Sequence, residues 1–178
     1  NSACNLKLPV IFLVQDNGYA ISVPVEVSTA GGSISKLFTG MPDLKIVECD
    51  GTDVLDSYRA SGEAVAHCRA RKGPALIHAH VIRPYSHSMS DSEAAYRTQE
   101  ERDADAARDP LVRTRKLLID SGVATAESLD TLEAEVHAAV LAAADEALKH
   151  PQPPVETAMQ HLFCEDVDPT SSEFETEP

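Results

Sequence analysis

Positive charge is scarce in this sequence. Fifteen Lys and Arg stand against 29 Asp and Glu, for a net charge of −14 over 178 residues. A surface of that sign does not neutralise phosphates over a wide area, which argues against nucleic acid as a main partner and against anionic membranes. The four cysteines, Cys4, Cys49, Cys68 and Cys164, form no CxxC and no His–Cys pair with the spacing of a zinc site. With no secretion signal at the start, they predict reduced thiols and a cytoplasmic setting. No apolar run is long enough to span a membrane. Internal repeats and low-complexity tracts are absent too. The first residues, NSACNLKLP, lack an initiator Met and read as the end of a helix before a strand. The last, CEDVDPTSSEFETEP, read as an acidic, proline-bearing linker, so an interior piece of a longer chain is expected.

Hydrophobic residues make up 43% of the chain, enough to build a core at this length. The acid excess gathers at 99–109, at 126–146 and in the tail, where it reads as solvated surface. PVIFLV (9–14) is a short continuous apolar run, the pattern of a strand covered on both faces. A short helix is predicted around 33–40, a strand at 44–49, and a helix after Thr52 or Asp53, either of which is able to cap it. Leu55, Tyr58, Val65 and Cys68 fall near one face of that helix, and Gly73-Pro74 ends it. ALIHAHVI (75–82) is a further strand. Alternation of strand and helix favours an α/β fold, a parallel sheet with covering helices, in which ligands bind beyond the carboxyl ends of the strands. A C-terminal helical part follows: a helix over 110–122 with Gly122 near its C-cap, and a long one over 125–151 with Leu129, Leu132, Val136, Val140 and Leu148 at near-helical spacing. Packing or subunit contact is the expected role of that part.

Two loops follow predicted strands directly. In FLVQDNGYAIS (12–22), Asp16-Asn17-Gly18 is a turn signal. The turn is the first reading; a carboxamide and a backbone carbonyl just after a strand also suit Mg²⁺, which is hard, prefers oxygen and takes few protein ligands. RPYSHSMSDSEAAYR (83–97) is long and aperiodic, and such loops in a compact domain are functional or disordered. His87, Ser88 and Ser90 read as ordinary loop polarity or as site residues, and Tyr85, Met89 and Tyr96 are the loop's only apolar anchors.

NGYAIS with HSMSD and AAYRTQEE, then DP, RKLLIDSG and the long helix, resembles the alpha subunit of the thiamine-diphosphate-dependent 2-oxo acid dehydrogenases, pyruvate or branched-chain type, over about residues 3–163. The start looks most like versions in which alpha and beta parts are fused. The resemblance implies thiamine diphosphate and Mg²⁺ as cofactors, with Asn17 giving a side-chain oxygen and Tyr19 its carbonyl to the metal. It implies Ile21 beneath the bent cofactor, and His87 near the diphosphate and reacting centre as the catalytic and cofactor-binding histidine. It further implies Arg83, Asp91, Tyr96 and Arg97 as residues that order the loop, and Ser88 at a regulatory phosphorylation position. Asp16 stands where the family commonly has a second Asn. The family's Gly-Asp-Gly, a main Mg²⁺ ligand site, and its usual phosphate-binding Arg would lie before residue 1, and Gln15 stands where some branched-chain members carry an Arg.

The implied domains are 1–98, the later portion of a thiamine-diphosphate-binding α/β domain including a mobile loop at 83–97; 99–163, a helical extension; and 164–178, an acidic linker or tail. The implied function is oxidative decarboxylation of a 2-oxo acid with acyl transfer to a lipoyl group. The partners are a beta subunit or fused beta part, in a heterotetramer, and the lipoyl domain of the acyltransferase component. The alternative is a non-catalytic α/β assembly fragment that does not bind cofactor.

Overall fold

The structure is a computed structural model that describes residues 1–160, Asp166 and Ser171. A short helix α1 (Ser2–Asn5) leads into strand β1 (Ile11–Asp16), a small hairpin of β2 (Tyr19–Ala20) and β3 (Val23–Pro24), and short helices α2 (Val25–Ser28) and α3 (Ile34–Leu37). Strand β4 (Lys45–Asp50), helix α4 (Val54–Arg69) and strand β5 (Ala75–His80) complete the α/β part, and helices α5 (Gln99–Ala106), α6 (Pro110–Asp120) and α7 (Ala126–Ala147) follow. The expected tail at 164–178, with Cys164, lies outside the described residues apart from Asp166 and Ser171. No described helix is long and apolar enough to cross a membrane.

The three main strands form one parallel sheet in the order β1–β5–β4, in register from Ile11, Ala75 and Lys45 to Asp16, His80 and Asp50. The parallel neighbours expected from the three apolar runs are therefore present. Strand β5 is central and buried over Ala75–Ala79. Helix α4 starts at Asp53, whose carboxylate accepts from the N–H groups of Leu55 and Asp56. It covers one sheet face with Ala60, Ala64 and Cys68, which pack on Val47, Cys49, Ile77 and Ala79. Small side chains four residues apart let the helix lie close to the sheet. Gly73, at φ 131, closes the return to β5: a Cβ there would stand 2.5 Å from the Asp43 carbonyl oxygen. Cys4, Cys49 and Cys68 are buried and unpaired.

One expectation is corrected in part. Of the residues expected near one face of α4, Cys68 is buried against the sheet, whereas Leu55 and Tyr58 are 62% and 80% exposed, and Ala60 and Ala64 make the rest of the contact. Among the described residues β1 lies at the edge of the sheet, α4 sits mainly over β4 and β5, and Phe12 and Leu13 are 47% and 59% exposed.

The chain divides into two units, Asn1–Ala124 and Thr125–Pro178. The first runs past residue 98 because polar ties hold α5 and α6. Thr98 and Glu101 form a capping box at the start of α5, and buried Arg97 bonds both Glu93 and Asp105. Arg113 of α6 reaches Asp50 at 2.9 Å and also bonds Thr52. In the second unit, Thr125 and Ser128 cap α7 reciprocally, and Leu132, Val136 and Val140 stay more than half exposed.

Candidate active site at the carboxyl edge of the sheet

The first loop begins where β1 ends. Asp16 Oδ1 accepts from Gly18 N–H at 2.8 Å, and Asn17 Oδ1 accepts from Tyr19 N–H at 3.1 Å. Two successive side-chain turns thus bend the chain, helped by Gly18 at φ 79, and the hairpin closes with Val25 N–H on the Gly18 carbonyl at 2.8 Å. Ile21, at φ 58, lies in the left-handed region, which costs a β-branched residue on the order of 1–3 kcal/mol. Its side chain is 55% exposed.

The second loop leaves β5. Arg83 is its link to the first: Nη1 donates to the Ile21 carbonyl at 2.8 Å and Nη2 to the Tyr96 hydroxyl at 2.6 Å. Its guanidinium lies 5.8 Å from the ring centroids of both Tyr19 and Tyr96, which are 5.9 Å apart, and Arg97 lies 5.5 Å from the Tyr19 ring. The Tyr96 hydroxyl donates onward to Asp91 Oδ2 at 2.6 Å, which also accepts from His87 N–H at 2.9 Å. The Tyr96 hydroxyl, then the His87 N–H, hold the Asp91 carboxyl below its ordinary range. Burial, then the Asp91 bond, pushes the Tyr96 phenol up, and burial followed by the nearby Glu101 does the same for Tyr19.

The two loops therefore meet, with Tyr19, Ile21, Arg83, Asp91, Tyr96 and Arg97 in one connected cluster and Asn17 in the turn beside it. His87 and Ser88 are exposed; His87 joins the cluster through Asp91, and Ser88 Oγ lies 3.2 Å from Ser90 Oγ. Of the three apolar anchors expected, Tyr96 is tied into the cluster through its hydroxyl, whereas Tyr85 and Met89 are 79% and 106% exposed.

Sequence reasoning passed over a second group. His78, fully buried on the central strand, bonds Ser35 Oγ through Nδ1 at 3.0 Å and Asp16 Oδ2 through Nε2 at 2.9 Å. Burial pushes the Asp16 carboxyl up, but the Gly18 N–H and His78 outweigh it and leave it below its ordinary value. The signal available was His-Ala-His, since alternate residues of a strand share a face.

The donors on the two loops fit Mg²⁺ and a diphosphate. The carboxamide oxygen of Asn17 and a backbone carbonyl beside it are hard oxygen ligands. The Nε–H of Arg83 is buried with no acceptor among the described residues, a donor suited to an anion.

Comparison with known proteins places this geometry in context. The family of dehydrogenase E1 components matches residues 1–156. The somatic-form alpha subunits of the mitochondrial pyruvate dehydrogenase E1 component from Bos taurus and Homo sapiens are each 34% identical over 167 residues, covering 93% of this chain and 42% of the relative. The mitochondrial alpha subunit from Sminthopsis macroura is 33% identical, with 45% of its length covered. The chain thus spans less than half the length of these curated relatives. The cytoplasmic setting expected from composition is overturned by them, because they are mitochondrial proteins. Reduced cysteines do not distinguish the two compartments.

Proposed function

We infer that this chain, which belongs to the dehydrogenase E1 component family, is the alpha part of a thiamine-diphosphate-dependent 2-oxo acid dehydrogenase, decarboxylating a 2-oxo acid of the pyruvate or branched-chain kind. It works with a beta part and passes the acyl group to a lipoyl domain. The sheet with its covering helix is then the later portion of a thiamine-diphosphate-binding fold. The observation that carries this reading is the joining, through Arg83, of the loop after β1 to the loop after β5, at the sheet edge where ligands of parallel sheets bind.

Bound thiamine diphosphate supplies the electron sink for loss of CO₂. The residues of this chain bind and orient. Asn17 offers its carboxamide oxygen and Tyr19 its carbonyl to Mg²⁺, and Gly18 permits the bend between them. Ile21 presents an exposed apolar side chain from a backbone position that Arg83 holds, as a support beneath the cofactor. Arg83, Asp91, Tyr96 and Arg97 order the second loop. His87 sits on that loop with its ring in solvent, free to hold or release a proton at a bound substrate, and its backbone is fixed by Asp91. A phosphate on Ser88 would set a dianion beside the cofactor diphosphate and oppose its binding.

Mg²⁺-dependent thiamine diphosphate binding to the full-length chain, assembled with its beta part, tests the reading. Asn17→Ala is expected to weaken it by a large factor, since loss of one oxygen from a small rigid shell costs on the order of a few kcal/mol. Unchanged affinity in that variant would remove Asn17 from the metal shell.

A further inference from the structure

The sheet face opposite α4 holds a polar cluster that the proposed cofactor site does not use. Ile77 and Ala79 face α4, so His78 and His80 point to the other side. Glu48, the partner of His78 in the sheet register, and Asp16, the partner of His80, flank them on the two neighbouring strands. His80 Nε2 lies 3.5 Å from Glu48 Oε2, and the His78 and His80 rings are 4.3 Å apart between centroids.

Hydrogen-bond accounting leaves one contact without a proton. Ser35 has a single hydroxyl proton, and its Oγ donates to Glu48 Oε1, because a carboxylate only accepts. The Ser35 Oγ then accepts from His78 Nδ1, which must carry a hydrogen. A neutral His78 therefore presents the lone pair of Nε2. That lone pair faces Asp16 Oδ2, another acceptor, at 2.9 Å. A cation shared between the two atoms satisfies both lone pairs. The second imidazole favours the shared cation: Asp16, His78 and His80 each offer one ligand atom, all within 4.8 Å of one another.

We propose that Asp16, His78 and His80 bind a divalent ion of the Zn²⁺ kind on this sheet face, with Glu48 beside it, as a site separate from the Mg²⁺ ligands Asn17 and Tyr19. Two imidazole nitrogens and a carboxylate are a donor set for Zn²⁺, Co²⁺ or Ni²⁺, whereas Mg²⁺ prefers oxygen. The His78 Nδ1–H bond to Ser35 is the outer support that fixes a ligating imidazole in the required tautomer. His80 is 49% exposed and Glu48 52%, which gives the ion a path from solvent, while His78 is fully buried. Because Asp16 also receives Gly18 N–H, the ion would pin the base of the turn that carries Asn17.

The test uses Co²⁺ as the probe, on untagged full-length protein stripped of metal and kept in excess Mg²⁺. One Co²⁺ per chain is expected, with the visible absorption of a four-coordinate site, displaced by Zn²⁺. His80→Ala, at a half-exposed position, should weaken binding about 100-fold or more, at least the loss seen when an outer-shell partner of a ligand is removed. Asn17→Ala should leave Co²⁺ binding unchanged, so failure of the cofactor assignment and failure of this one are separable. A wild-type titration without saturable absorption overturns the proposal. So does a His80→Ala titration equal to wild type, or an Asn17→Ala loss as large as that of His80→Ala. The wild-type titration decides even if His80→Ala does not fold.

Discussion

Replacing Arg83 by Met should loosen two separate loops at once. The substitution keeps an unbranched stem and removes the guanidinium, with its bonds to the Ile21 carbonyl at 2.8 Å and the Tyr96 hydroxyl at 2.6 Å. It also removes the charge lying 5.8 Å from two tyrosine rings. Hydrogen bonds made by a charged group contribute about 1.5–3 kcal/mol each, and an exposed cation–π contact about 0.5–1 kcal/mol. Arg83 is partly exposed, so water replaces part of this, and about 2 kcal/mol in total is a reasonable loss. By the relation of about 1.4 kcal/mol per tenfold, amide exchange through local opening should accelerate about 30-fold. Hydrogen exchange by mass spectrometry should show this both in 84–97 and in 18–22, because the strained backbone at Ile21 is held from across the gap. Arg83→Lys should recover only part of the protection, since an ammonium lacks the planar fork that reaches both acceptors. Acceleration confined to 84–97 would refute the idea that Arg83 couples the loops.

His87→Ala, assayed at saturating cofactor, should lower turnover about 100-fold or more if the imidazole serves the reacting centre, the scale of a lost acid–base group; a normal rate with a raised cofactor dissociation constant would reduce it to a binding residue. The Thr52 hydroxyl, then Arg113, hold the Asp50 carboxyl well below its ordinary 3.8. Its stabilising contribution is accordingly complete above that ordinary value and disappears as the pH falls through the lower folded value. Asp50→Asn should therefore lower the urea midpoint at neutral pH and flatten its fall between about pH 4 and pH 2, and an unaltered acid limb would contradict this. Ala64→Leu, at a fully buried position on the sheet-facing side of α4, should cost about 1–3 kcal/mol in chemical denaturation by overpacking; a neutral result would mean that the helix lifts freely from the sheet.

The parallel sheet was readable because PVIFLV is a continuous apolar run, LKIVEC and ALIHAHVI are rich in strand-forming residues, and a helix of ordinary length separates the last two. The face α4 buries was readable at Cys68 and not beyond it, because Leu55 and Tyr58 outweigh Ala60 and Ala64 on any scale of size, whereas a helix lying close to a sheet selects small residues. The two loops were readable by position, each following a strand. What ties them was not: the Ile21 carbonyl and the Arg83 guanidinium are 62 residues apart in sequence, and a left-handed Ile carries no local signal. Asp16 read as a turn acid, and it is one, through Gly18. Its second oxygen meets His78, 62 residues away and buried, which no local pattern reveals.

The measurement that bears most directly on the central claim is CO₂ release by the full-length chain assembled with its beta part, with pyruvate and branched 2-oxo acids compared. Release that requires both thiamine diphosphate and Mg²⁺, with the acyl group appearing on an added lipoyl domain, is the predicted result. An assembly that forms and binds cofactor yet releases no CO₂ from any of these acids would contradict it.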